Sequence, residues 1–176
     1  MRTNQTLKAF GKTGLMAVLF LLAACSDDSN SSGSGGSDSF IKGKVDNVQF
    51  NSLEIQGQSL AVATTSGTGA SRLIIVTGSD MDQNTMSVIM LGIDEVGEYT
   101  IDTNDDGSVL AYIPANSTSH DTSNCDGATG TLNITTINEE RVVGTFSFVG
   151  KDDENCSASK TVTNGSFRGV FLQTQN

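Results

Sequence analysis

From Phe40 onward the chain alternates between short apolar segments and clusters of Gly, Asn, Asp and Ser. FIKGKV and VQF flank Asp46-Asn47, a dipeptide that reads as a tight turn. SLAVATT runs into SGTGAS, RLIIVTG into SDMDQN, and TMSVIMLGI toward the short segment GEYTI. GSVLAYI follows the acidic stretch DTNDDG, and GTLNITTI, RVVGTFSFVG and TVTNGSFRGVFLQ complete the series. No window carries the i, i+3, i+4 stripe of an amphipathic helix, whereas strand-length runs separated by turn residues recur throughout. The pattern predicts an all-β fold: an antiparallel meander of about eight or nine strands forming a sandwich or a barrel. LIIV and VIML are apolar at successive positions, which predicts central strands covered on both faces.

The C-terminal third also carries register information. Leu132 and Ile134 alternate with Thr131, Asn133 and Thr135, and Phe146 and Phe148 alternate with Thr145 and Ser147. Opposed residues of an antiparallel pair share a face. Pairing Phe148 with Leu132 and Phe146 with Ile134 turns all four inward and centres the hairpin near Glu140. A slip of one residue would expose both rings. Further on, Val162 and Phe167 have opposite parity, and a bulge at Asn164-Gly165 returns both to one face.

The N-terminal stretch has another character. Residues 1–12 are polar and contain Arg2, Lys8 and Lys12; residues 14–24, GLMAVLFLLAA, are apolar. A membrane-spanning helix needs roughly 20 apolar residues, so this run has the length of a secretory signal peptide. Its end, Leu22-Ala23-Ala24-Cys25, resembles the lipobox of bacterial lipoproteins. That resemblance implies cleavage before Cys25, a diacylglyceryl group on its thiol and usually an acylated amino group. Two or more chains give stable membrane attachment where one is marginal. In many Gram-negative bacteria an aspartate directly after the cysteine retains a lipoprotein at the inner membrane. Ser26 stands there, so the resemblance implies the outer membrane of the cell envelope. Asp27-Asp28 resembles an acidic export signal; surface display and a periplasmic orientation both stay open. The sequence SDDSNSSGSGGSDS then lacks apolar side chains and reads as a flexible tether of about 20 Å mean reach. The expected organisation is a signal peptide at 1–24, a lipidated cysteine and tether at 25–39, and a single β domain at 40–176.

Charge narrows the partners. The chain holds 10 Lys+Arg against 20 Asp+Glu, a formal net charge of −10. Without residues 1–24 it keeps 7 cations and 20 acids, or −13. Such a body repels phosphate backbones, which argues against nucleic acid as a partner, and attracts cations. One candidate cation loop is DTNDDG. Asp102, Asn104 and Asp106 take positions 1, 3 and 5 of an EF-hand-type calcium loop, and Gly107 takes position 6. Position 12 is Ile113, with no acidic ligand, so the competing reading is an Asx-rich hairpin turn between GEYTI and SVLAYI. Ser119-His120-Asp121 contains the residue types of a hydrolase triad, but adjacent residues do not converge as a triad must; His120 is expected in a solvent-facing loop. Asp152-Asp153-Glu154 reads as a solvated acidic turn. Asn116 and Asn133 open glycosylation-type tripeptides, discounted behind a bacterial lipobox. The chain has 3 cysteines. With Cys25 lipidated, Cys125 and Cys156 remain, within one residue of the hairpin register and in an oxidising compartment, which predicts a disulfide. No metal or redox pair is expected of them, since C-x-x-C spacing is absent and His120 is the sole histidine.

Gly130, Thr131, Ile134 and Thr135, then Gly144 to Phe148, then Thr163 to Phe167 together resemble a family of uncharacterised bacterial lipoproteins. Its members carry a lipobox, a polar tether and a C-terminal GTxxIT, GTFSF and TNGSF pattern. The resemblance implies an antiparallel β fold, a sandwich or a lipocalin-like barrel, and transfers no activity, cofactor or catalytic residue. The expected function is therefore a membrane-anchored, non-catalytic binding module for a protein, glycan or small molecule. The alternative is a lipocalin-like carrier, which would enclose a cavity of several hundred Å³ lined by Ile, Val, Met and Phe.

Overall fold

The computed structural model describes residues 38–105 and 107–172. The expected signal peptide, Cys25 and most of the tether lie outside the described residues. Thirteen strands run through the described part: β1 (Phe40–Val45), β2 (Val48–Asn51), β3 (Glu54–Ile55), β4 (Gln58–Ser59), β5 (Val62–Ser66), β6 (Leu73–Ser79), β7 (Thr85–Leu91), β8 (Gly97–Asp102), β9 (Val109–Ile113), β10 (His120–Asp121), β11 (Thr129–Ile137), β12 (Arg141–Asp152) and β13 (Ser159–Val170). Every ladder is antiparallel. The expected all-β class holds. The small β3–β4 hairpin and two-residue β10 are additions that their polar sequences did not signal.

The main sheet runs β2-β1-β13-β12-β10-β9-β7-β6-β5 and curls into a half-barrel. Its shape follows from β12. One edge of this 12-residue strand pairs with β13; the other is shared. Val142 to Val149 take β11, which carries β8 on its far side, while Lys151 and Asp152 take β10. The β10-β9-β7-β6-β5 limb thus leaves β12 at its end and packs back over β13 and β1. Ile74, Val76, Met86, Val88, Met90 and Leu110 of this limb meet Ile41, Leu132, Ile134, Val142, Phe146, Phe148, Val162 and Phe167 of the other. Phe146 lies 6.3 Å from Phe148 and 6.1 Å from Phe167, centroid to centroid.

Local expectations fare variously. Asp46 and Asn47 have φ of 48° and 68°, the two positive values of a type I′ hairpin turn. Asn164, at φ 52°, is the extra residue of a bulge in β13 against both β12 and β1, and Val162 and Phe167 are both buried as expected. The β11–β12 register differs from expectation by two residues. Phe146 opposes Leu132, Phe148 opposes Gly130, and Ile134 opposes Gly144. An even slip keeps every side chain on its face, so alternation alone does not distinguish the two registers. Volume does. A Cβ on Gly130 would lie 2.7 Å from Phe148 Cβ, and one on Gly144 would lie 2.5 Å from Asn133 O and 2.9 Å from Phe167 Cε1. The rings occupy the space that the glycines leave empty. A bulge at Thr135 absorbs the offset from the Asn138–Arg141 turn. β6 and β7 are interior to their limb, but the outward Leu73, Ile75 and Ile89 are only half-buried, so the expectation of two covered faces fails for them.

Gly144→Ala is expected to lower unfolding free energy by about 1–3 kcal/mol in denaturant titrations, because the added methyl has no space against Asn133 O and the Phe167 ring. Wild-type stability in this variant would refute the packing account of the register.

Candidate functional site

An open groove of about 950 Å³ indents one end of the domain. It lies where β1, β2, the β3–β4 hairpin and the β6–β7 turn meet, so its walls are turns held by a rigid sheet. Ser52 Oγ anchors the connection after β2 by accepting the Ile41 amide at 3.2 Å, and the Leu53 amide donates to Ser79 O at 2.7 Å. Gln49 Nε2 donates to Gly43 O at 2.9 Å. In the opposite wall the Asp80 carboxylate accepts the amides of Asp82 and Asn84 at 2.9 Å each and shapes the turn. That turn raises Met81, 84% exposed, at the groove's edge. Phe40, Lys42, Gln58 and Glu54 add a ring, an ammonium group, an amide and a carboxylate, and Phe40 and Lys42 stand on the rim that the groove shares with the outer face of β1. This assortment suits a ligand rich in hydroxyl or amino groups: the acceptors outnumber the cations, and Phe40 offers one apolar surface.

The residues singled out from sequence fall elsewhere. Cys125 and Cys156 form a disulfide with Cα atoms 5.6 Å apart, as expected, joining the segment before β11 to the turn after β12. DTNDDG differs from the hairpin-turn reading in one respect. Asp102 Oδ1 accepts the Asn104 amide at 2.8 Å and Asn104 Nδ2 at 3.2 Å, an Asx turn, but β8 pairs with β11 and β9 with β7 and β10. The stretch is therefore a crossing between limbs and not a hairpin turn. Asp106 lies outside the described residues. Among the described residues no group of three or more His, Cys, Asp or Glu is placed to hold a metal ion.

His120 is a correction. It is 6% exposed, in β10, wedged between Tyr112 of β9 and Asp152 of β12. The fork in β12 requires a strand there, and the polar SHDT sequence concealed it. Among the described residues its buried Nδ1 has no hydrogen-bond partner. Ser119 Oγ donates to Asp121 Oδ2 at 2.9 Å, while His120, adjacent in the strand, faces the other side. Asp152 is a second correction: it is 5% exposed, not part of a solvated turn. Its carboxylate accepts the amides of Ala158 at 2.6 Å and Asn155 at 2.9 Å and organises the β12–β13 connection. Those bonds hold its pKa below the usual carboxylate value, against the opposing effect of burial.

The curled antiparallel sheet places the protein among half-barrel β folds. The chain belongs to the family described as Domain of unknown function (DUF6252), which matches residues 37–171. No curated protein and no solved structure matches it. The groove had no sequence signature, because its walls come from four separate turns and strand ends; only the Asx-forming DMDQN hinted at a shaped loop.

Two outcomes follow. Replacing both Cys125 and Cys156 with Ala is expected to remove about 3–4 kcal/mol of stability in the chain-entropy account, read from denaturant midpoints. The depressed Asp152 pKa contributes stability that is complete above the unfolded-state value of about 3.9 and is lost as pH falls through the lower folded-state value. Asp152→Asn should therefore differ most from wild type above about pH 4 and converge with it in stronger acid, measured by melting temperature against pH.

Proposed function

We propose that this protein is an outer-membrane lipoprotein, attached through Cys25, whose β domain is a non-catalytic binding module working through the groove between β1, β2, the β3–β4 hairpin and the β6–β7 turn. The carrying observation is the contrast between interior and surface. Between the limbs, Phe167, Ile41, Met86, Met90, Leu110 and Leu132 are fully buried. The 950 Å³ groove, by contrast, opens outward and is lined by polar and acidic side chains as well as Phe40 and Met81. A filled interior supports recognition at the surface over enclosure of an apolar ligand. The lipobox-like Leu22-Ala23-Ala24-Cys25 and the polar stretch after it support the anchor, since they present the domain clear of headgroups.

Native mass spectrometry of the chain extracted from its own membranes tests both parts. The expected mass is that of a chain beginning at Cys25 with acyl groups and without a co-purified apolar molecule, and Cys25→Ser should move the chain to the soluble fraction. An unacylated native N-terminus would remove the anchor. A stoichiometric apolar passenger would replace the module with a carrier.

A further inference from the structure

The net charge of −13 conceals a segregation. Of the seven cations after residue 24, Lys42, Lys44, Arg141, Lys151 and Arg168 all occupy outward positions on β1, β12 and β13. The only acid within β1, β11, β12 and β13 is Asp152, which is buried on the inner side. Between and beside the cations the outer face carries hydroxyls and amides in register. One row runs Asn133, Thr145, Ser166, Lys42, and Thr131 lies beside Ser147 in the next. Neighbouring rungs are about 4.8 Å apart across the strands and about 6.8 Å apart along them. The surface is dished, with two shallow depressions of about 280 and 460 Å³ between the cations; Glu98 of β8, which opposes Asn133 at the end of the row away from Lys42, borders the larger one. At one side Lys42 Nζ and Arg168 Cζ stack on the Phe40 ring at 5.2 and 5.7 Å, which fixes both charges facing outward. Among the described residues the one ion pair, Lys160–Asp46, involves none of these five cations.

We infer that this outer face of β11, β12, β13 and β1 is a binding surface for an extended acidic polysaccharide. Two properties select that partner. First, charges beyond about 10 Å are largely screened at 0.1 M salt, so a ligand lying on the face responds to the local cations more than to the acidic loops elsewhere. Second, rows of hydroxyls and amides match a polymer whose own surface is hydroxyl and carboxylate. A membrane is the poorer fit. The exposed large apolar residues, Val48, Ile55, Leu60, Val62 and Met81 among them, all lie off these outward positions, and interfacial docking uses such side chains.

The test is affinity electrophoresis of the intact chain, in mild detergent, through gels containing polygalacturonate or neutral dextran. Polygalacturonate should retard the chain, dextran should not, and added salt should reduce the retardation. Lys44→Gln with Arg168→Gln should weaken the apparent association by about tenfold or more. Arg72→Gln, off the face, should leave it unchanged, and because neither Lys44 nor Arg168 lines the groove, the loss in the double variant separates this surface from the groove. Melting temperatures verify that each variant is folded, and the single Lys44→Gln serves if the pair is not. Equal mobility of wild type in the two gels overturns the inference, as does an equal loss in Arg72→Gln. Complete displacement by phosphatidylglycerol micelles but not phosphatidylcholine micelles overturns it too, by assigning the face to a membrane.

Discussion

The shared edge of β12 determines the molecule's architecture. Antiparallel pairing normally assigns one neighbour to each side of a strand. Here one side takes β11 along most of its length and β10 at its end. The limb that follows β10 has to leave the plane and fold over the rest, because β11 already occupies the space it would continue into. The interior, the buried His120 and the Asp152-centred turn are local consequences of that fork. The Cys125–Cys156 bridge closes beside it, so the covalent link reinforces the place where the sheet divides.

Much of the fold was legible in the residues, for reasons that can be named. Alternation in TLNITTI and VVGTFSFV reports which face is buried, and a parity break between Val162 and Phe167 reports a bulge, because both are local properties of a two-residue period. Register is not local. It depended on whether Phe148 faces Leu132 or Gly130, a question of shape between strands, and the even slip escaped a reading based on polarity. β10 escaped for the opposite reason. His120 and Asp121 are buried by the fork, not by their own apolarity. The groove was invisible because it is assembled from strand ends and turns far apart in sequence. The disulfide was legible because counting thiols and opposing positions requires only the approximate hairpin.

Charge shows the same distinction between sum and arrangement. A net value summarises a long-range field, and at physiological ionic strength that field decays within a side chain or two of the surface. Strand periodicity places Lys42, Lys44, Arg141, Lys151 and Arg168 outward by the same alternation that places Ile41, Val142 and Phe167 inward. The cations are grouped because their strands are neighbours, although up to 126 positions of sequence separate them.

The groove's construction has an evolutionary corollary. Its walls rest on the sheet, yet the β3–β4 hairpin and the β6–β7 turn contribute almost nothing to the aromatic interior. Drift in those few positions could therefore retune what is held there while the foldedness of the domain stays constant. A scaffold whose selectivity and solidity reside in different residues leaves each open to change without endangering the other.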